Sequence, residues 1–141
     1  ITLDPGGPER DLGEERSRVM WPFATYEDRG VEQAFGTDSP ITAVTSMDVL
    51  YCAVARQDPF THEPAGGWLP GERISAAEAL RIYTAGSAAA AGREDELGQI
   101  APGYLADFVV LDRDITACDP SEIQGARVVA TYVAGERVFE R

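Results

Sequence analysis

The sequence has a single histidine, His62, and only two cysteines, Cys52 and Cys118, in 141 residues. The cysteines form no CxxC pair, so nothing in the sequence supports a zinc finger. Two separated thiols are typical of buried apolar side chains in a reducing compartment, and we therefore expect a cytoplasmic protein. A cysteine nucleophile would need a histidine beside it, and His62 is the one candidate.

Basic charge and long apolar runs are also scarce. Twelve Lys and Arg stand against 24 Asp and Glu, giving a formal net charge of -12. An acidic surface argues against nucleic acid or an anionic membrane as a partner. No apolar run approaches the roughly 20 residues that span a bilayer. The chain starts at Ile1 without a basic leader, so we expect no signal peptide and a processed or truncated chain.

The first half of the chain predicts helices and one strand. Residues 1–11 are rich in proline, glycine and charge and predict a loop or a frayed end. A helix over 22–29 should precede a strand over 31–35. Ser46 is the predicted N-cap of a helix over 47–55, where apolar residues recur at helical spacing.

The middle of the chain predicts a long loop and two helices. Residues 57–72 hold several prolines and glycines, and loops of this length are often functional lids. Ser75 and Glu78 have the spacing of a capping box that opens a helix. Gly86 should separate this helix from a second, alanine-rich helix over 87–91.

The last third predicts β-structure. A short run over 106–111 is rich in strand-forming residues, and a hairpin is expected over 128–133 and 137–140 around residues 134–136. A few strands with apolar faces need a further surface to pack on. We expect more sheet from elsewhere in the parent polypeptide to provide it.

Asp38 is the main candidate for chemistry. It follows the predicted strand after Gly36, and Pro40 stops the chain from continuing as a strand. An aspartate at the carboxyl end of a strand is where α/β folds place catalytic groups. The structural alternative is an Asx turn or helix cap before Ser39 and Pro40.

Other polar residues have simpler predicted roles. Asp107 is expected to make a structural hydrogen bond in a turn, and the acidic run 94–96 to be a solvated turn. His62 is expected to be solvated in its loop, although loops can also contact substrate. Arg56 and Trp68 flank the same loop and either line a pocket or pack at a surface or interface.

Three segments, taken together and in order, resemble one family: residues 34–40 (AFGTDSP), 74–84 (ISAAEALRIYT) and 98–112 (GQIAPGYLADFVVLD). The chain resembles the carboxyl-terminal third of the metal-dependent amidohydrolase superfamily, and most of all amidohydrolase family 3, the YtcJ-like branch. The resemblance extends over nearly the whole chain, including the closing hairpin.

This resemblance implies an α/β fold: a carboxyl-terminal fragment of a (β/α)8 barrel plus part of a small β-sandwich domain. Residues 1–57 would hold the last barrel strand and closing helix, and residues 58–97 a loop and helices that pack on the barrel. Residues 98–141 would be the carboxyl-terminal part of the sandwich. The amino-terminal remainder of the same polypeptide is then the main partner.

The resemblance also implies a reaction. The parent protein would hydrolyse carbon–nitrogen bonds other than peptide bonds in a small amide-like substrate, using a metal-activated water. Asp38 would bind a divalent metal, expected to be zinc, and carry a proton. The family's other ligands, mainly histidines on earlier strands, cannot lie in this chain, so we predict that the isolated fragment is inactive and holds no cofactor.

Two further functions stay open at this stage. The chain would be a noncatalytic assembly module if its unpaired sheet edges pair with a second copy to form a homo-oligomer. Alternatively, it would be a self-sufficient small α/β domain with an unrelated binding role.

Overall fold

The computed structural model describes residues 6–41 and 43–141, which form a mixed α/β structure. The α-helices span Gly7–Leu12 (α1), Glu14–Ser17 (α2), Phe23–Asp28 (α3), Ser46–Ala55 (α4), Ala76–Arg81 (α5) and Ser87–Ala90 (α6). A π-helical turn, Ile82–Gly86, joins α5 to α6, and two 3-10 turns span Pro70–Glu72 and Pro120–Gly125. The strands span Phe108–Leu111 (β1), Val128–Val133 (β2) and Glu136–Glu140 (β3).

The amino-terminal segment differs from the predicted loop. Residues 1–5 of that prediction lie outside the described residues, whereas α1 occupies Gly7–Leu12 and makes the prediction wrong there. Pro8 stands in the first turn of α1, where its fixed φ favours a helix and its missing N–H costs nothing. The helix predicted over 22–29 is confirmed as α3.

The helix predicted over 47–55 is confirmed as α4, but its N-cap is Thr45 and not Ser46. The Thr45 hydroxyl accepts a hydrogen bond from the Asp48 N–H, and the Asp48 carboxylate accepts one from the Thr45 N–H at 2.7 Å. A capping box needs an acid three residues after the cap. Asp48 meets that requirement for Thr45, so Thr45 caps the helix.

The capping box of Ser75 and Glu78 is confirmed at the start of α5. The predicted break at Gly86 is wrong, because the chain continues from α5 through the π-helical turn into α6 without leaving helical conformation. Gly86 itself has φ -62° and ψ -41°, which are ordinary helical values. The helix ends only near Gly92, whose φ is +66°.

The carboxyl-terminal strands form an antiparallel sheet in the order β1-β2-β3, which confirms the predicted hairpin. Phe108 lies opposite Tyr132, and their rings stack at 4.6 Å. The strand predicted over 106–111 begins only at Phe108. Asp107, just before it, accepts a hydrogen bond from the Ala134 N–H at 2.7 Å, the structural role expected for it.

The strand predicted over 31–35 is not present, since residues 31–38 have no regular secondary structure. A strand exists through hydrogen bonds to a neighbouring strand. In the described part of the chain, no strand lies beside this segment to pair with it. The apolar pattern was therefore insufficient for a strand in this chain.

The hydrophobic core lies around α4, between α5 on one side and the Pro120–Gly125 turn on the other. Its buried members are Leu50, Tyr51, Cys52, Ala53, Ala55, Ile74, Ala79, Ile82, Ile115, Ile123 and Ala126. Among the residues described, no helix combines the length and apolar character needed to cross a bilayer.

Candidate active site

Asp38 lies at an apolar groove of about 720 Å³. The groove is bounded by residues 31–38, by the chain around Trp21 and Phe23, and by α4 through Val49 and Cys52. The Asp38 side chain is exposed, so a ligand in the groove can reach it. Its φ of +58° is left-handed, a conformation that aspartate tolerates better than most residues.

The segment that leads to Asp38 is held on both sides. On one side, the Gln33 amide donates to the Phe23 carbonyl at 3.1 Å and to the Glu27 carboxylate at 2.8 Å. The rings of Phe23 and Phe35 also lie 4.9 Å apart. On the other side, the Ser87 hydroxyl donates to the Phe35 carbonyl at 2.9 Å. No local sequence pattern indicates these contacts of Gln33 and Ser87.

The described residues do not by themselves fit a metal ion. No three His, Cys, Asp or Glu side chains among them lie close enough together to hold one. A catalytic zinc ion takes about three protein ligands, and Asp38 offers one carboxylate. Any further ligands would have to come from residues outside this set.

His62 is exposed, as predicted, but it is engaged in a polar contact. Its Nε2 lies 3.1 Å from Oε1 of Gln124 in the Pro120–Gly125 turn. The Gln124 amide nitrogen donates to the Asp48 carboxylate at 2.7 Å and to the Pro59 carbonyl at 2.8 Å. The network joins the loop to the amino-terminal end of α4. His62 is not among the residues that line the groove of Asp38.

The same network affects Asp48. Burial raises the pKa of this carboxyl, but hydrogen bonds from the Thr45 backbone, Gln124 and the Thr45 hydroxyl outweigh burial and lower the pKa below 3.8. Asp48 is therefore ionised at neutral pH and stabilises the first turn of α4 through capping and through the helix dipole.

Arg56 is fully buried at 0% exposure, which contradicts packing at the surface, one of the roles expected for it. Its Nε donates to the Trp68 carbonyl at 3.1 Å, and Nη1 donates to the Trp21 carbonyl at 2.8 Å. The guanidinium also lies over the rings of Phe23 at 5.0 Å and Trp68 at 5.3 Å. Neither Arg56 nor Trp68 lines the groove of Asp38.

Burial lowers the pKa of Arg56 to about 10, while the charge of Glu72 opposes that change. The guanidinium thus stays charged at neutral pH and binds two backbone carbonyls as a cation. Arg56 follows the last turn of α4, and no local pattern marks an arginine there as buried. Nothing in the local sequence therefore indicates this contact.

The loop over 57–72 has internal contacts of its own. Buried Asp58 accepts hydrogen bonds from the N–H groups of Phe60 at 2.9 Å and Thr61 at 2.8 Å. The Gln57 amide donates to the Pro64 carbonyl at 3.0 Å. These contacts make the loop a compact structure packed against α4, and a mobile lid would need to break them.

Cys52 is buried at 2% exposure and lines the groove, as expected for an apolar cysteine. Burial is the main cause that raises the pKa of its thiol to about 12, and the charge of Asp48 adds to it. The thiol is therefore protonated at neutral pH and is not a nucleophile. Cys118 is half-buried, and both cysteines are free.

The structure is thus that of an α/β protein, with helices around a central core and an antiparallel sheet. An accessible acidic side chain, Asp38, lies at an apolar groove. The sequence model of the amidohydrolase family matches residues 4–139. The chain belongs to this family, in its family 3 branch, as the resemblance predicted.

Two curated relatives are similar over most of the chain. YtcJ of Bacillus subtilis strain 168, which is named as an amidohydrolase, is 34% identical over 131 residues, 92% of this chain. The N-substituted formamide deformylase of Arthrobacter pascens is 36% identical over 131 residues, also 92% of this chain. The chain spans about a quarter of these relatives, 24% and 23% of their lengths.

A solved structure has a similar fold. The crystal structure of an uncharacterized metal-dependent hydrolase from Pyrococcus furiosus superposes with a TM-score of 0.61 and 33% identity. The match covers 79% of this chain and 23% of that one. The predicted α/β class is therefore confirmed. The barrel, the sandwich and the role of Asp38 stay predictions.

Proposed function

We propose that this chain is the carboxyl-terminal part of a hydrolase that cleaves carbon–nitrogen bonds, other than peptide bonds, in a small amide-like molecule. One observation supports it above the others: a chain that matches the amidohydrolase family over residues 4–139 presents an accessible carboxylate, Asp38, at an apolar groove. The deformylase relative acts, by its name, on N-substituted formamides, which contain such a bond.

Asp38 would be the one catalytic group that this chain contributes. Its carboxylate would accept a proton from the attacking water and pass it to the leaving nitrogen. The apolar walls of the groove, including Phe35 and Val49, would hold the carbon part of the substrate and limit access of bulk water. Exposure of Asp38 suits this role, because both water and substrate must reach it.

We further propose a divalent metal, zinc, in the whole protein, with Asp38 as one ligand. When bound, such an ion would lower the pKa of a water on it to about 7. The family neighbour named as a metal-dependent hydrolase supports a metal. Because the described residues cannot hold the ion by themselves, the other ligands would be supplied by the amino-terminal remainder of the polypeptide.

The domain assignment is proposed on the same basis. Residues 1–57 would complete the barrel, residues 58–97 would pack on its wall, and residues 98–141 would contribute to a β-sandwich. A cytoplasmic location also stays a prediction.

Substitution of Asp38 in the full-length protein tests the proposal. Asp38→Asn keeps the shape but removes the proton acceptor, so kcat on an N-substituted formamide should fall about 10²- to 10⁴-fold. Asp95→Asn, at an exposed turn residue, is the matched control and should keep wild-type kcat. Wild-type activity in Asp38→Asn would contradict the assignment.

A zinc titration of the 141-residue chain tests whether the chain alone lacks enough ligands to hold the metal. Isothermal calorimetry should detect no zinc affinity in the micromolar range, because a single carboxylate is a poor zinc site. Micromolar binding would show that this chain holds a site of its own, contrary to the proposal.

A second candidate, the assembly module, has one observation in its favour. β1 and β3 are the outer strands of the sheet in the described part of the chain, and all five residues of β3 are exposed. Outer strands of this kind can pair with another copy. The net charge of -12 opposes self-association. A dimer in size-exclusion chromatography, together with an inactive full-length protein, would favour this alternative.

A further inference from the structure

We propose that Gly86 and Ser87 are positioning residues that set the location of Asp38, a role that rests on the proposed function of Asp38. Both residues lie where the π-helical turn meets α6, and both contact the irregular segment that leads to Asp38. Neither lines the groove of Asp38, so they would act through the backbone of residues 33–35.

Gly86 is required by a close approach between two stretches of backbone. A Cβ atom at Gly86 would lie 2.1 Å from the Gln33 carbonyl oxygen, where ordinary contacts begin at 3.4 Å. The Gln33 carbonyl belongs to the backbone, which cannot rotate away as a flexible side chain would. Any side chain at residue 86 would therefore push the segment away from the helix by more than about 1 Å.

Ser87 adds a hydrogen bond next to this close contact between the two stretches of backbone. Its hydroxyl donates to the Phe35 carbonyl at 2.9 Å and lies 3.3 Å from the Ile82 carbonyl. The segment has no strand partner among the described residues, and the Ser87 hydroxyl satisfies one of its backbone carbonyls. Ser87 thereby fixes Phe35 against the helix.

The opposite side of the segment is fixed as well. Gln33 is hydrogen-bonded to Phe23 and Glu27, and Glu27 forms an ion pair with Arg81 of α5. The segment is thus held between α3 and the continuous helix from α5 to α6. Asp38 follows Phe35 by three residues, a span of at most about 11 Å. A displacement at Phe35 is therefore transmitted to Asp38.

Removal of the Ser87 hydroxyl in the full-length protein tests this inference. Ser87→Ala should lower kcat about tenfold while KM changes little, because substrate still binds but the proton acceptor is displaced. Ser87→Thr keeps a hydroxyl and should restore most of kcat. Thr84→Val is the matched control, since within the described chain the Thr84 hydroxyl bonds the Leu80 carbonyl of the same helix, at 2.8 Å.

Gly86→Ala should have a larger effect. A backbone shift of about 1 Å near the reacting groups lowers kcat about a hundredfold. Gly71→Ala is its control, because a Cβ at Gly71 meets nothing within 4 Å. Should Gly86→Ala fail to fold, the three hydroxyl variants decide the question on their own.

Hydrogen exchange separates this inference from the proposed function. In Ser87→Ala, but not in Thr84→Val, the amides of residues 31–38 should exchange faster. Unchanged exchange in Ser87→Ala would overturn the inference. The inference would also fail if Ser87→Ala exchanged faster but had a kcat as high as that of Thr84→Val. A wild-type protein without hydrolase activity would overturn the proposed function, and exchange would then show only whether Ser87 holds the segment.

Discussion

Helix α4 and strand β3 are both regular elements, but different forces hold them. α4 buries Leu50, Tyr51, Cys52, Ala53 and Ala55 in the core, whereas every residue of β3 is exposed. β3 is held by its backbone ladder with β2 and by the turn at Ala134 and Gly135, whose φ values of +51° and +81° suit a tight hairpin. Side chains should therefore determine stability around α4 and matter little on β3.

The largest expected effect lies at the end of α4. Arg56→Met removes the buried cation that binds the Trp21 and Trp68 carbonyls and takes from the Trp68 carbonyl its donor, whereas the Trp21 carbonyl still accepts from the Phe23 N–H. We expect a loss of about 3 kcal/mol in the free energy of unfolding, measured by urea denaturation. Arg93→Met, which breaks an exposed pair with Glu96, should cost much less. Equal losses in the two variants would contradict this structural role of Arg56.

A smaller effect is expected where the loop meets α3. The Glu72 carboxylate accepts hydrogen bonds from the Thr25 N–H at 2.9 Å and the Thr25 hydroxyl at 2.6 Å. Burial raises the pKa of Glu72, but these two bonds and the charge of Arg56 outweigh burial and lower the pKa below 4.5. Glu72→Gln should cost about 1.5 kcal/mol at pH 7.

The sign of the pH dependence follows from that lowered pKa. Glu72 contributes stability that is fully present above its unfolded value of 4.5 and is lost as the pH falls through the lower, folded value. The difference between wild type and Glu72→Gln should therefore shrink below pH 4.5. A difference that stays constant down to acid unfolding would contradict the role of the charged form.

The smallest effect is expected on β3. Val138 is 59% exposed, so Val138→Thr keeps a branched strand former and loses little burial. The free energy of unfolding of the 141-residue chain should change by about 0.5 kcal/mol or less. A loss above about 1.5 kcal/mol would show that this strand face is covered in solution, and the contrast with α4 would then fail.

The elements that the sequence predicted well are those with local causes. The capping box of Ser75 and Glu78 and the turn at Gly135 depend on residues within a few positions of each other. The strand expected over 31–35 failed because a strand needs a distant neighbour. Burial of Arg56 and the contact of Ser87 with Phe35 also join residues far apart in sequence, and no spacing rule reveals such pairs.

The candidate site shows the same difference between features with local causes and features made by residues far apart in sequence. Asp38 was found because a short apolar run, a glycine and a proline surround it locally. The groove beside it is made by α4 and by residues around Phe23, which only folding brings together. Whether Asp38 is catalytic stays a prediction for the substitution to decide.

The contacts of the 57–72 loop limit how its length can vary. Surface loops usually accept inserted residues without much loss. Here the Trp68 carbonyl must reach the Arg56 guanidinium, and the Pro64 carbonyl must reach Gln57. An inserted residue between Arg56 and Trp68 would move these groups out of hydrogen-bonding distance of each other. Related chains should therefore vary this loop by substitution at its exposed positions and keep its residue count.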